Sequence, residues 1–283
     1  MSLNQEKMTS IEKRVALSLS AIFASRMLGL FMVLPVFALY AEELEGFTPT
    51  LAGLAIGIYG LTQAIFQIPL GMLSDHIGRK RVIIGGLVIF ALGSVVAALA
   101  DSITGVIVGR ALQGAGAIAS AVMALAADLT REEHRIKVMA SIGMSIGLSF
   151  ALALIIGPML HGWFGVEGIF WLTALLALGG IMVAKFLVPS PILSRFHRDA
   201  EVEIGWFRQA LSDPQLLRLD AGIFILHFIL VSQFVVMPGI LRDELGFALE
   251  LHWHLYLPVL FFAVLTMIPF IILAEKKRKI KQV

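Results

Sequence analysis

The chain has 283 residues, of which 58% are hydrophobic and 15% are charged, with a formal net charge of +2. Soluble domains are about a quarter charged, so this composition excludes an ordinary water-soluble domain and indicates a protein surrounded by lipid. The absence of cysteine excludes disulfides and thiolate metal sites.

Apolar stretches follow one another along the whole chain, and each is long enough to cross a bilayer, which needs about 20 residues. The predicted spans are 15–40, 50–72, 82–100, 103–126, 138–160, 166–188, 216–240 and 252–274. The first stretch is too long for a cleavable signal peptide and contains Arg26. We therefore expect it to remain as the first of eight transmembrane helices.

The basic residues predict the orientation of these helices. Of the 22 lysines and arginines, 19 lie on the termini, on alternate connections or on the flanks of these connections. Arg242 lies on an opposite connection, and Arg26 and Arg110 lie well inside spans. Cytoplasmic connections are enriched in basic residues, so both termini are predicted to be cytoplasmic. The same placement accounts for a sequence pI of about 9.0 without a nucleic-acid partner.

The longest connection divides the chain into unequal parts. We predict a six-helix half over residues 1–188 and a cytoplasmic linker with a short interfacial helix over 189–215. Residues 216–283 would form the first two helices of a second half. The predicted fold class is therefore an all-α membrane protein with a six-helix bundle and part of a second bundle.

Short sequence echoes support this division. Phe31–Pro35 resembles Phe234–Pro238, and Gln67–Asp75 resembles Met267–Glu275 in the same order and spacing. Helices one and two thus resemble helices seven and eight. Internal repeats on either side of a long linker are typical of secondary transporters.

The connection between the second and third spans, Gly71–Arg81, carries the most ordered pattern. Gly71 and Gly78 suit a tight turn, and Asp75 can accept helix-start N–H groups or pair with Arg79. A simple topology anchor accounts for the basic residues. It does not account for the order G-x-L-x-D-x-x-G-R-K.

Three ionisable residues well inside predicted spans, Arg26, Arg110 and His227, each have two interpretations. Arg26 lies near mid-membrane, where a charge costs about 2.5–3.5 kcal/mol on insertion scales; it either lines the substrate cavity, as an anion-binding group or a fixed counter-charge, or pairs structurally within the first half. Arg110 either faces the bundle interior or reaches outward past its helix end. His227 either exchanges protons near neutral pH or is a buried neutral histidine bonded to a backbone carbonyl.

A polar stripe runs along the second span. Tyr59, Gln63 and Gln67 recur every four residues and therefore share one helix face. In lipid, such a face contacts protein or a water-filled cavity. We assign the stripe to the substrate cavity, with Gln113 and Gln233 as further members.

These residues resemble the signatures of the major facilitator superfamily of secondary transporters. Its pattern between helices two and three is matched at Gly71, Leu73, Asp75, Gly78, Arg79 and Lys80. The fourth span, V-G-R-A-L-Q-G-A-G, is similar to the helix-four motif of that family. The chain as a whole most resembles the YajR-type, drug:proton antiporter-like transporters of bacterial inner membranes, with the sequence stopping after the eighth helix.

The fifth span resembles the antiporter motif g-x-x-x-G-P-x-x-G-G of the same family. Gly157, Pro158 and Gly162 are kept, whereas the sequence departs from the motif at Ala153 and His161. The antiporter resemblance is therefore less complete than the superfamily resemblance.

The resemblance also implies roles for charged residues. Arg110 would take part in proton coupling. Asp128 would join Asp75 and Arg79 in a cytoplasmic cluster that latches the two halves in one state and loosens on protonation. The alternative for Asp128 is an exposed acid beside Arg131.

Taken together, these features predict a proton-coupled secondary transporter that exports a small, partly apolar compound by alternating access. We expect a multi-pass protein of the bacterial inner membrane whose partners are the substrate, protons and the lipid bilayer. No cofactor, metal, nucleic-acid partner or enzymatic activity is predicted. The alternative is a truncated, non-transporting membrane protein, or a fragment that needs the missing C-terminal helices.

Overall fold

A computed structural model of the chain describes residues 7–189 and 212–276, which are almost entirely helical. The helices in these ranges are α1 Ser10–Tyr40, α2 Pro49–Ile77, α3 Arg79–Ala98, α4 Ile103–Ala115, α5 Ala119–Leu129, α6 Glu132–Met182, α7 Pro214–Asp243 and α8 Trp253–Lys276. The all-α fold class is confirmed. The predicted interfacial helix of the linker and the basic tail after α8 lie outside the described residues.

The first helix begins at a capping box. The Glu12 N–H donates to Oγ1 of Thr9 at 3.2 Å, and the Thr9 N–H donates to Oε2 of Glu12 at 2.8 Å. These bonds satisfy two donors that a helix start would otherwise leave unpaired. α1 then continues for 31 residues and is buried along most of its length, because both ends of α6 pack against it.

α6 reverses direction at Gly165, whose φ of +68° favours glycine. The residues of α1 that are contacted have increasing residue numbers up to Gly165 and decreasing residue numbers after it. In order along α6 they join Ser141 to Ser20, Ser149 to Ala24, Glu167 to Tyr40, Thr173 to Gly29 and Leu187 to Arg14. The two segments of α6 therefore lie antiparallel to each other, one on each side of the reversal.

Seven helical stretches in the described ranges are long and apolar enough to cross a membrane. The longest, Glu132–Leu187, contains the reversal at Gly165 and joins α6 to a π-helical turn, Val183–Leu187. The multi-pass helical membrane fold is thus confirmed. The number of eight crossings and the cytoplasmic position of both termini stay predictions.

The structure divides the fourth predicted span, 103–126, into two helices. α4 ends at Ala115 and α5 begins at Ala119. At the break, Gly116 lies so close to α3 that an added Cβ would come within 2.3 Å of the carbonyl oxygen of Gly86. Small residues permit such close approach between membrane helices, and apolar composition alone does not indicate the break.

α7 packs on the first half near one end only. Phe234 is buried, and its ring centroid lies 6.1 Å from that of Phe150 on α6 and 6.0 Å from that of Tyr256 on α8. Most side chains of α7 before residue 231 are exposed. The contact between the two parts of the chain therefore lies at the end of α7 that is predicted to face outward.

Candidate functional site

Arg110 lies on α4 inside the helix bundle, with 2% of its surface exposed. Its Nη1 donates to Oε1 of Gln113 at 2.9 Å, and its Nε donates to the carbonyl oxygen of Ala55 at 3.3 Å. Nε2 of Gln113 donates in turn to Oγ of Ser94 on α3 at 2.8 Å. Arg110 therefore faces the interior, as one of its two interpretations predicts, and is anchored to three helices.

Arg26 lies on α1 and is completely buried. Its Nη2 donates to Oε1 of Gln63 at 3.4 Å, whereas Nε and Nη1 have no hydrogen-bond partner within the described ranges. The guanidinium carbon lies 5.4 Å from the ring centroid of Phe90 and 5.8 Å from that of Tyr59. Arg26 is thus surrounded by aromatic rings but has few acceptors.

The ring of Tyr59 connects the two arginines. Cζ of Arg110 lies 4.8 Å from its centroid, so both guanidinium groups lie near one aromatic ring. The Tyr59 hydroxyl is buried and has no partner among the residues described. We call this group the arginine cluster: Arg26, Tyr59, Gln63, Phe90, Ser94, Arg110 and Gln113.

Two members of the arginine cluster escape sequence reasoning. Phe90 and Ser94 lie in the apolar third span, where a phenylalanine is indistinguishable from other apolar residues. Ser94 donates to the carbonyl of its own helix at Phe90, at 2.8 Å, and also accepts from Gln113. A lone serine in a membrane helix gives no signal of such a partner, because hydrogen bonding to its own helix already satisfies it.

The arginine cluster has no acidic counterpart among the described residues. The ion pairs there involve Arg79, Arg131 and Arg242 and not the two buried arginines. Taking a charge out of water costs several kcal/mol, and a desolvated cation–π contact returns about 2 kcal/mol. The site therefore carries uncompensated positive charge and is chemically suited to an anion. In the same ranges, no three His, Asp or Glu side chains form a metal-binding group.

A second group of polar residues lies where α2 ends and α3 begins, at the turn that is predicted to be cytoplasmic. Arg79 pairs with Asp75, donates from Nε to Oδ2 of Asp128 at 3.3 Å and donates from Nη1 to Oγ of Ser74 at 2.7 Å. Gly78 has a φ of +101°, which lets α3 start directly after α2. The structure thus brings together the three charged residues that the family resemblance groups there.

The remaining motif residues join neighbouring helices. An added Cβ on Gly71 would come within 2.9 Å of Oγ of Ser120 on α5, and that hydroxyl donates to the backbone carbonyl of Gln67 at 2.9 Å. Nζ of Lys80 donates to the carbonyl of Val188 at 2.9 Å. The motif therefore holds α2 against α5 and α3 against the end of α6. The side-chain oxygen of Gln67 is buried and unpartnered in the described part of the chain.

An ion pair between Glu12 and Arg131 was not predicted. Oε1 of Glu12 lies 3.0 Å from Nε of Arg131, and Oε2 lies 3.1 Å from Nη2. Arg131 and the Thr9 N–H lower the pKa of Glu12 to about 2, although burial opposes this. The capping box formed by Thr9 and Glu12 can be recognised in the sequence, but the pairing of Glu12 with a residue 119 positions away cannot. Asp128 itself accepts a hydrogen bond from Arg79 next to the junction of α2 and α3.

The helix-five motif lies where α6 crosses α1. An added Cβ on Gly157 would come within 2.5 Å of the carbonyl oxygen of Met32 and 3.3 Å of Cγ of Pro35. Pro158 is also buried, whereas Gly162 is exposed. The first two motif positions therefore permit a close helix crossing.

Two predicted site residues on α7 lie apart from the arginine cluster. His227 is exposed, and its Nδ1 lies 2.9 Å from the carbonyl oxygen of Ile223 on the same helix. Gln233 is also exposed. Every member of the arginine cluster lies on α1–α4, so the structure does not group these two residues with it.

A third charged contact joins α7 to the segment after α1, at the opposite end of the bundle from the junction of α2 and α3. Nη1 of Arg242, in the last turn of α7, lies 2.9 Å from Oε2 of Glu42. Nε of Arg242 lies 2.6 Å from Oδ1 of Asp243. The carboxylates of Asp243 and Glu42 raise the pKa of Arg242. Nearby, the Tyr40 hydroxyl donates to Oε1 of Glu167 at 3.0 Å.

The described helices are long and apolar enough to cross a membrane several times and enclose charged side chains. This arrangement is typical of polytopic transport proteins. The sequence model of the Major Facilitator Superfamily matches residues 19–283. The chain belongs to this family.

The chain is similar to curated transporters along nearly its whole length. It is 51% identical to the inner membrane transport protein YajR of Escherichia coli K12 over 281 residues, which are 99% of this chain and 62% of the relative. It is 41% identical over 261 residues to an uncharacterized transporter of Buchnera aphidicola from Schizaphis graminum, covering 91% of this chain and 66% of the relative. The predicted YajR-type resemblance is confirmed, and the chain spans slightly less than two thirds of the length of these relatives.

Solved structures confirm the fold. A bacterial homologue of the human lysosomal transporter Spinster, in an inward-facing and unoccupied conformation, matches 95% of this chain and 64% of its own with a TM-score of 0.78 at 17% identity. A D-xylose–proton symporter matches 92% of this chain and 69% of its own with a TM-score of 0.60 at 16% identity. At these identities the likeness concerns the fold alone.

Proposed function

We propose that the chain belongs to a secondary transporter that exports a small, partly apolar anion across the bacterial inner membrane in exchange for protons. The relatives named as transport proteins support a transport role. One observation carries the substrate class, namely the completely buried Arg26 with two unpartnered nitrogens.

Arg26 would bind the anionic group of the substrate. A guanidinium has five N–H donors in a planar fork that matches carboxylate, phosphate or sulfonate oxygens. Such an anion would supply the acceptors that Nε and Nη1 lack and would compensate the buried charge. The rings of Phe90 and Tyr59, 5.4 and 5.8 Å from the guanidinium carbon, would contact the apolar part of the substrate.

Gln63 would give the substrate access to Arg26. Its side chain is partly exposed and contacts Arg26 through a long bond of 3.4 Å. An anion that forms shorter, charge-assisted bonds would displace it. Gln67, one turn further along α2, has a buried side-chain oxygen without a described partner and would bind a polar group of the same substrate.

Proton coupling would use residues on different parts of the chain. Arginine does not release its proton in proteins, so Arg110 would act through its fixed charge. His227 on α7 would carry the proton, because an imidazole ring can accept and release one. An anion at α1 and a proton at α7 would then link substrate binding to the relative motion of the two halves that alternating access requires.

The two charged contacts at opposite ends would act as gates. Arg79, Asp75 and Asp128 would secure the cytoplasmic turn and loosen when a carboxylate is protonated. Glu42 and Arg242, 2.9 Å apart, would hold the outer ends of α1 and α7 together and separate when the cavity opens outward. Gly157 and Pro158 would provide the close helix crossing about which α6 packs on α1.

A second candidate function is that of a membrane fragment that transports only together with further helices. This candidate is supported by α7, most of whose side chains before residue 231 are exposed. Alternating access uses two halves that move around a central site, and α7 and α8 would need further helices to complete the second half.

The test is transport by the purified 283-residue chain in proteoliposomes with an imposed pH gradient. The probes are p-toluenesulfonate, a permanently charged small aromatic anion, and trimethylphenylammonium, a cation of similar size. We expect proton-driven movement of the anion, loss of that movement in Asp75→Ala, and none in protein-free vesicles. Movement of the cation instead would contradict the substrate class. Inactivity that only the addition of further helices reverses would favour the fragment.

A further inference from the structure

A groove between the start of α1 and the end of α6 lies outside the sites described above. Its volume is about 550 Å³. Its walls are Ser10, Lys13, Arg14, Leu17, Ser18, Ala21, Val183 and Leu187. The chemistry of the groove changes along its length, since basic side chains lie at the start of α1 and apolar ones follow toward the middle of the helix.

The basic end of the groove lacks acidic partners. Among the residues described, the ion pairs involve none of Lys13, Arg14 and Lys80. Glu12, the acidic residue in the same helical turn, is 3% exposed and pairs with Arg131. The positive charges at the groove are therefore available to an external anion.

Arg14, which lines the groove, and Lys80, which lies next to Arg14, are held in place by backbone carbonyls that follow the end of α6. Nε of Arg14 donates to the carbonyl of Leu187 at 2.7 Å, and its Nη2 donates to that of Phe186 at 3.1 Å. Nζ of Lys80 donates to the carbonyl of Val188 at 2.9 Å. Burial lowers the pKa of Lys80, and the nearby charge of Arg14 lowers it further, so the two cations repel each other. An anion bound beside Arg14 would relieve this repulsion.

The apolar end of the groove faces outward from the bundle. Leu17 is 72% exposed and Leu187 is 48% exposed, and Ala21 and Val183 continue the same wall. In a membrane helix, an outward apolar wall of this kind contacts lipid acyl chains. Because the N-terminus is predicted to be cytoplasmic, the groove would open to the inner leaflet, where anionic lipids attract basic side chains next to helix ends.

We propose that this groove binds an anionic phospholipid of the cytoplasmic leaflet, with the phosphate between Lys13 and Arg14 and an acyl chain along Leu17, Ala21 and Val183. Arg14 presents Nη1, which has no hydrogen bond within residues 7–189 and 212–276, to the phosphate oxygens. Lys13 is exposed and adds a second cation. Bound there, the lipid would join α1 to α6 at the end where Arg14 already connects them.

Native mass spectrometry of the purified full chain in detergent tests the proposal. The chain is titrated with phosphatidylglycerol and with phosphatidylcholine of identical acyl chains. We expect phosphatidylglycerol to bind at least tenfold more tightly. Lys13→Gln should weaken its binding about fivefold, equivalent to about 1 kcal/mol for one basic residue. Lys137→Gln, which removes an exposed lysine of α6 away from the groove, should leave binding unchanged.

Further arms separate a lipid from other occupants. Leu17→Ser should weaken phosphatidylglycerol binding, because it removes part of the apolar wall, and soluble glycerol phosphate should not displace the lipid. Equal binding of both lipids, or equal effects of Lys13→Gln and Lys137→Gln, would overturn the proposal. Displacement by glycerol phosphate with no effect of Leu17→Ser would assign the groove to free phosphate. A dimer that Lys13→Gln dissociates would assign it to a second copy of the chain. Unchanged helicity by circular dichroism verifies that each variant is folded.

Discussion

Arg26 and Arg110 are both buried in the bundle and both lie beside the ring of Tyr59, yet their surroundings differ. Arg110 has a hydrogen bond of 2.9 Å to Gln113 and one of 3.3 Å to the Ala55 carbonyl. Arg26 has one long contact with Gln63 and two unpartnered nitrogens in the described structure. One arginine is anchored by the protein, and the other is open to a ligand.

This difference separates two uses of a buried charge. An anchored guanidinium contributes to the fold and fixes a positive potential, because its hydrogen bonds compensate part of its desolvation. An unanchored one destabilises the protein until an anion binds. We therefore expect the loss of Arg26 to reduce function without unfolding the protein, and the loss of Arg110 to affect folding.

The largest expected effect is that of Arg26→Met on transport. We expect the transport of p-toluenesulfonate to fall more than tenfold, because the N–H groups of Arg26 that would bind its sulfonate are lost. The stability of the protein should stay equal or rise, because an unpaired buried charge is removed. Proteoliposome transport and the melting temperature in detergent measure the two effects. Arg135→Met, at an exposed arginine of α6, is the matched control. Unfolding of Arg26→Met would show that Arg26 is as structural as Arg110.

Gln113→Leu should have the next largest effect, on stability. It removes the oxygen that accepts a hydrogen bond from Arg110 and the N–H that donates to Ser94. The loss of two buried hydrogen bonds costs about 1–2 kcal/mol. Loss of helicity on titration with denaturant measures the change. Gln233→Leu, at an exposed position on α7, should stay within about 0.5 kcal/mol. Equal stabilities of the two variants would contradict the anchoring of Arg110.

The pH dependence of stability separates a paired arginine from an unpaired one. Because pairing with Arg131 lowers the pKa of Glu12 to about 2, its contribution of about 1 kcal/mol is present above about pH 4.5. It is lost as the pH falls toward 2. Melting temperatures between pH 5 and 2 should therefore fall less steeply in Glu12→Gln. Arg26→Met should keep the wild-type slope, since no described carboxylate pairs with Arg26; a flattened slope there would reveal an acidic partner.

Tyr59→Phe should have the smallest effect. The ring that contacts both arginines is kept, and the hydroxyl has no described partner, so we expect a change of at most about 0.5 kcal/mol in the free energy of unfolding. Tyr40→Phe is the control, because its hydroxyl donates to Glu167 at 3.0 Å and its loss costs about 0.5–1.5 kcal/mol. A large effect of Tyr59→Phe on transport alone would place the hydroxyl against the substrate.

Much of the fold is predictable because hydropathy and charge act locally along the chain. Apolar runs of membrane length and the glycine that separates α2 from α3, Gly78, can be read from neighbouring residues. The predicted turn began too early, because Gly71 lies inside α2, which continues to Ile77. The reversal at Gly165 falls between the fifth and sixth predicted spans. The break between α4 and α5 was missed, since it results from close contact with Gly86 on another helix and not from local composition.

Prediction of the site was less complete. The polar stripe on α2 and the two arginines were identified individually, because polar residues are rare in membrane spans. Their meeting at Tyr59 was not predictable, and neither was the role of Ser94. Gln233 was grouped with the substrate cavity, and His227 was expected either to exchange protons or to be buried. The structure leaves both exposed on α7.

The sequence by itself determined that this is a helical membrane protein of a transporter family, where its apolar segments lie and which charges they contain. Those properties depend on composition and on motifs within one stretch of chain. Only the tertiary structure decided that Arg110 is anchored and Arg26 is not. The reason is physical: their surroundings are built from residues of four different helices, and hydrogen bonding between helices depends on how these helices pack and rotate against one another.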